Sequence, residues 1–159
     1  MVERAALIAT AAEAREYYET KLARAHSITC HGNPVTVVFE KDATHFYSED
    51  PKGSIGPEDI VTRTFPGGRC ELRQFSLKRA RLMDEVLRAV SGFTVSVPGT
   101  GRQGHENRML HGSRLPSGEY MRVVLRKGPG TAWTCVSAYA VSHDLWLQMR
   151  RAKRAKFPP

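Results

Sequence analysis

The sequence predicts an α+β fold: N-terminal helices packed on a small antiparallel β-sheet, closed by a basic C-terminal helix. Three observations predict it. A stretch rich in alanine and leucine with helical periodicity opens the chain, and a second amphipathic stretch lies mid-sequence. Strand-like runs joined by turn residues then follow one another without strict helix–strand alternation, which disfavours a doubly wound parallel sheet. The 159 residues fit one domain over 1–159, large enough to bury a core without staples.

Residues 3–24 read as the first helix. No Gly or Pro interrupts them, and Leu7, Ala11, Ala14, Tyr18 and Leu22 recur at helical spacing. HGNP (31–34) breaks the chain, and PVTVVFE (34–40) is rich in β-branched residues, as a strand requires. The polar segment 41–57 is expected as an exposed loop and FPGGR (65–69) as a turn. Ser76 is placed to N-cap a helix that Gly92 ends. Leu77, Ala80, Met83, Leu87 and Val90 would form its buried stripe. FTVSV (93–97) reads as a short strand and 98–118 as a long segment of weak periodicity. EYMRVVLRK (119–127) and TAWTCVSAYAVS (131–142) read as strands joined at GPG (128–130). A last helix starts near Ser142 and ends before Pro158. No internal repeat or linker is evident.

Lys and Arg number 24 against 16 Asp and Glu, a formal charge of +8. The tail 148–159 holds Arg150, Arg151, Lys153, Arg154 and Lys156 and no acid, and is the one segment expected to act independently. Such a charge attracts polyanions, of which nucleic acid is the commonest inside a cell; the rival explanation is solubility alone. Cys30, Cys70 and Cys135 are odd in number, widely spaced and without CxxC. That argues against a disulfide scaffold and a zinc knuckle and favours a reducing compartment. No apolar run approaches a membrane span, and the N-terminus does not read as a signal peptide. No metal, cofactor or membrane partner is expected.

GTGRQG (99–104) matches G-x-G-x-x-G, but no apolar helix follows it, so a loop is the better reading than a dinucleotide site. The histidines show no metal-helix spacing such as HExxH. His45 follows a strand within a turn-rich segment, where chemistry is often carried. His105 and His111 flank Arg108, with Arg114 close behind. An acid–base imidazole beside a guanidinium that pairs with phosphate oxygens is what metal-free RNA cleavage needs, although a solvated basic loop has the same composition. Strand alternation would put Trp133, Cys135, Ser137, Tyr139 and Val141 on one face, so Ser137 and Tyr139 could hold a phosphate or stack a base. Plain packing of Tyr139 is the rival reading.

Three stretches carry a resemblance: PVTVVFEKDATHFYSED, RQFSLKRARLMDEVLRAV, and EYMRVVLRKGPGTAWTCVSAYAVS with its SAYAVS close. Residues 34–142 resemble the phage-borne branch of the barnase–EndoU–colicin–RelE (BECR) ribonucleases. Ala140 stands where proline is usual in such closes. The resemblance implies a helix-then-antiparallel-sheet fold and metal-independent cleavage to a 2′,3′-cyclic phosphate and a 5′-hydroxyl. It points to His45, Arg79 and Ser137 as catalytic residues with Tyr139 in support. Arg108, His111, Arg114, Arg150, Arg151, Lys153 and Arg154 are the candidate nucleic-acid contacts. It further implies RNA as partner, a toxin-like role in the bacterial cytoplasm and a cognate immunity or antitoxin protein. A non-catalytic nucleic-acid-binding module and a phage structural or accessory protein are the alternatives.

Overall fold

The computed structural model describes residues 2–99 and 106–159. The chain divides into two compact units, residues 1–23 with 41–84 and residues 24–40 with 85–159.

The first unit begins with a 3-10 turn (Ala5–Leu7), helix α1 (Ala11–Tyr17) and a π-helical continuation (Tyr18–Leu22). The single helix expected over 3–24 is therefore interrupted. The cause is a capping box: Thr10 Oγ1 accepts from the Glu13 N–H, while Glu13 Oε1 accepts from the Ala9 N–H and the Thr10 hydroxyl. Leu7, expected in the stripe, is consequently 66% exposed. The segment expected as an exposed loop instead folds inward. A 3-10 turn (Thr44–Phe46) and the short strand β3 (Ser48–Glu49) bury Ala43, Thr44, Phe46, Tyr47 and Ser48, and Phe46 stacks on Tyr18 with ring centroids 5.4 Å apart. β4 (Ile60–Thr64) and β5 (Cys70–Phe75) flank the FPGGR turn, and the sheet order is β3-β5-β4. The Ser76 hydroxyl caps helix α2 (Leu77–Arg81) by accepting from the Arg79 N–H. The helix then breaks before α3 (Glu85–Ser91). Of the expected stripe, Leu77 is 40% exposed while Ala80 and Met83 are buried; in α3, which belongs to the second unit, Val86 and Ala89 are buried along with Val90.

The second unit corrects the predicted fold class. It is a curled, mixed six-stranded sheet with a few short helices, not a small antiparallel sheet under N-terminal helices. The order is β1-β2-β9-β8-β7-β6, formed by β1 (Ala25–Cys30), β2 (Asn33–Val38), β6 (Val95–Pro98), β7 (Asn107–Arg114), β8 (Tyr120–Lys127) and β9 (Ala132–Val141). Two things enlarge it. His31 and Gly32, both at positive φ (47° and 83°), make a tight hairpin that pairs β1 with β2. β2 then joins β9 in parallel, across almost a hundred residues of chain. The segment expected as a loop over 98–118 carries β7, whose bulge between His111 and Arg114 disturbs the period-two pattern. α3 covers one sheet face closely. A Cβ at Gly112 would lie 2.9 Å from Ala89 Cβ, which is why no side chain is tolerated there. Helix α4 (His143–Arg151) is capped by Ser142 and is shorter than expected. The basic tail beyond it is anchored: the Ala155 N–H bonds Ser96 O at 2.9 Å, and Phe157 is buried against Trp133 and Phe93. Among the described residues no helix is long and apolar enough to cross a membrane.

Candidate functional site

His45 and Arg79, two of the predicted catalytic residues, fall in the first unit. His45 sits on the 3-10 turn, half-buried. Its pKa is lowered first by burial and then by the positive charge of Arg73, against an opposing pull from Glu71. Arg79 Nη1 donates to His45 O (3.3 Å) and Ser48 O (2.9 Å), so this guanidinium ties down the turn that carries the histidine. Arg73 beside it is only 5% exposed. It donates from Nε to Ser48 Oγ (2.7 Å), from Nη2 to Ser48 O (3.0 Å), and from Nη1 to Asp50 (3.1 Å) and Glu71 (3.2 Å). Every nitrogen of that arginine has an acceptor, and two of the acceptors are carboxylates.

Ser137 and Tyr139 lie on β9 in the second unit. The register Leu125↔Cys135 followed by Val124↔Ser137 passes over Val136, a bulge that shifts the alternation by one residue. Ser137 and Tyr139 therefore do not share a face with Trp133 and Cys135, as plain alternation predicts. They share it with Val124 and Arg122, their partners on β8. Arg122 in turn faces His111 on β7. Three adjacent strands thus deliver a guanidinium, an imidazole, a phenol and a hydroxyl to one face.

The geometry there is tight. Arg122 Nε donates to His111 Nε2 at 3.0 Å, and Arg122 Nη1 donates to the Tyr139 hydroxyl at 3.2 Å. Its Cζ lies 5.7 Å from the Tyr139 ring centroid. His111 is fully buried and Arg122 is 8% exposed. Because Nε2 accepts, the His111 proton is on Nδ1. Burial and then the Arg122 charge lower the His111 pKa to about 4, so the imidazole is neutral near pH 7. Among the described residues neither His111 Nδ1 nor Arg122 Nη2 has a hydrogen-bond partner, and no acidic side chain pairs with Arg122. Arg122 is thus a nearly buried cation with two neutral partners and a buried, unpaired Nη2, and it lacks the counter-charge that burial of a cation ordinarily requires.

Sequence reasoning missed Arg122 because it sits in an apolar run, YMRVVL, where the charge reads as a strand's solvent-facing residue. Drawn outward from GPG in regular register, the hairpin sets Arg122 opposite Ala138; only the bulge at Val136 brings it opposite Tyr139, so no local signal marked the pair.

The remaining basic candidates separate. Arg108 is engaged with Lys156 O (3.2 Å), Asn107 O (3.1 Å) and Glu106 (2.8 Å), so its groups are structural. Arg114, Arg150, Arg151, Lys153 and Arg154 are exposed. His105 and the GTGRQG stretch beyond Gly99 lie outside the described residues. Cys30 and Cys135 are buried, which raises both thiol pKa values, that of Cys30 to about 11, and makes them poor nucleophiles. Among the described residues no group of His, Cys, Asp or Glu side chains is arranged to hold a metal ion.

Comparison with protein-family models, with curated proteins and with solved structures gave no match.

Proposed function

We propose that the protein binds RNA through a backbone phosphate held at Arg122, on the β7–β9 face that also carries His111, Tyr139 and Ser137. One observation carries the reading: Arg122 is almost buried, lacks a carboxylate among the described residues, and keeps Nη2 unpaired. A phosphate oxygen would supply the missing charge and acceptor together. The formal charge of +8 and the exposed arginines of α4 would add a diffuse attraction for a long polyanion.

Metal-independent cleavage is the second reading, favoured by the Tyr139 phenol and Ser137 hydroxyl lying beside the guanidinium. In it the 2′-hydroxyl loses its proton to a base, the 2′-oxygen attacks phosphorus, and the 5′-oxygen leaves protonated. Arg122 would stabilise the charge on the non-bridging oxygens. His111 is a weak candidate for the base, because Arg122 occupies its Nε2. The likeness of sequence stretches to BECR ribonucleases favours cleavage, but the mixed six-stranded sheet withdraws the fold as support, and binding is the stronger conclusion. A toxin role, an immunity partner and a bacterial cytoplasmic setting belong to the cleavage reading alone.

The test uses single-stranded RNA in excess chelator with the parent protein and Arg122→Met. Retention of RNA by the parent, weakened about tenfold or more in the variant, is expected. Equal retention by both removes the proposal. Cyclic-phosphate products from the parent but not from Arg122→Met, with a growth defect on expression, would establish cleavage. Intact RNA leaves binding alone.

A further inference from the structure

Beside Arg122 on the same face lies an aromatic group that the phosphate site leaves unused. Tyr120 precedes Arg122 by two residues on β8, so the two side chains emerge on one face about 7 Å apart. The Tyr120 ring is stacked on Trp146 of α4, with centroids 4.6 Å apart and planes at 11°. His143 braces the pair. Its Nδ1 is 3.1 Å from the Tyr120 hydroxyl, and its ring lies 5.7 Å from Trp146 at 20°. One side of the half-buried indole is thus backed by a fixed tyrosine. Arg150, one helical turn on, places Cζ 5.3 Å from the indole centroid. Arg150 is exposed, and among the described residues its guanidinium has no other partner.

A cation held over an indole only by its π-face is a displaceable cap. An unpaired nucleobase is a better fit for such a plane, because stacking brings both area and dispersion. We propose that Trp146 is a base-stacking platform for single-stranded RNA, taking a nucleobase where Arg150 now lies, one nucleotide's reach from the phosphate at Arg122. Displaced Arg150 then covers the outer face of the base or pairs with its phosphate. The inference rests on the RNA reading and deepens it. The ligand is single-stranded, because a base paired within a duplex does not expose its face to a side chain on a sheet.

The two Trp residues allow a direct readout. Trp133 is 1% exposed, so the difference in emission between parent protein and Trp146→Phe isolates Trp146. Titrating a short oligouridylate is expected to quench that difference signal. Inorganic polyphosphate, which has charge and no bases, is expected to bind without quenching it. Trp146→Ala is expected to weaken oligouridylate binding about tenfold, and Trp146→Phe, which keeps a ring, about twofold. Oligouridylate that binds the parent without quenching, or binds Trp146→Ala as tightly as the parent with its circular dichroism intact, overturns the platform and leaves the RNA reading standing. Failure of the parent to bind oligouridylate at all removes both. The quenching arm needs only the parent and the Phe variant, so it decides even where Trp146→Ala fails to fold.

Discussion

Among the described residues each unit buries one arginine, and the two are treated differently. Arg73 in the first unit meets Asp50, Glu71 and both oxygens of Ser48. Arg122 in the second meets a neutral imidazole and a phenol and retains an unpaired nitrogen among the described residues. Burying a charge is costly unless counter-charges and acceptors accompany it. The first arrangement meets that requirement within the fold and so acts as a clasp on the 44–49 segment. The second leaves it open. The lesson is that burial of a cation locates nothing by itself. What discriminates a structural arginine from a ligand-seeking one is whether its acceptors are already present.

The comparison breaks most readily on stability. Arg73→Met is expected to cost about 3 kcal/mol in urea unfolding, since it leaves the buried Ser48 Oγ without its donor, removes one of the two donors to the Ser48 carbonyl and breaks the ion pairs with Asp50 and Glu71. Arg122→Met is expected to change stability by less than about 1 kcal/mol, because relief of an uncompensated charge opposes the loss of two hydrogen bonds. Equal losses in the two variants would end the distinction.

The acid side of the stability profile sharpens it next. His111 has a folded-state pKa near 4, below the ordinary value of 6.5. The unfolded chain therefore binds more protons between those values, and stability is full above about pH 6.5 and falls as the pH drops towards 4. The loss is about 3 kcal/mol for this group, and His111→Asn should flatten that part of the curve. His45 is shifted in the same direction and contributes with the same sign. An anion bound at Arg122 should raise the His111 pKa and leave His45 unmoved, which a histidine NMR titration with added polyphosphate measures.

The smallest effect is the most selective. Arg79→Lys is expected to cost about 1 kcal/mol by loosening its contacts with two carbonyls, with RNA retention unchanged within about twofold. A tenfold loss of RNA binding in that variant would move the site to the first unit.

Much of the local structure is written in the residues. The Ser76 and Ser142 caps, the Gly92 stop and the β8–β9 hairpin at GPG follow from rules that span only a few positions. Thr10-x-x-Glu13 and His31-Gly32 were equally local signals, a capping box and a hairpin turn. They were obscured by the helical periodicity around the first and by the strand that follows the second. His111 and Tyr139 were legible as candidates from residue type, although His111 lies on a strand and not on the loop expected there.

Sequence alone determined the basic charge, the caps and turns, and the residue types suited to phosphate chemistry, because each depends on composition or on neighbours a few residues apart. Only tertiary structure decided the parallel joining of β2 to β9, the bulge at Val136, and therefore which side chains share the face with Arg122. A one-residue slip in a strand turns every later side chain to the opposite face, and only long-range pairing sets where that slip occurs.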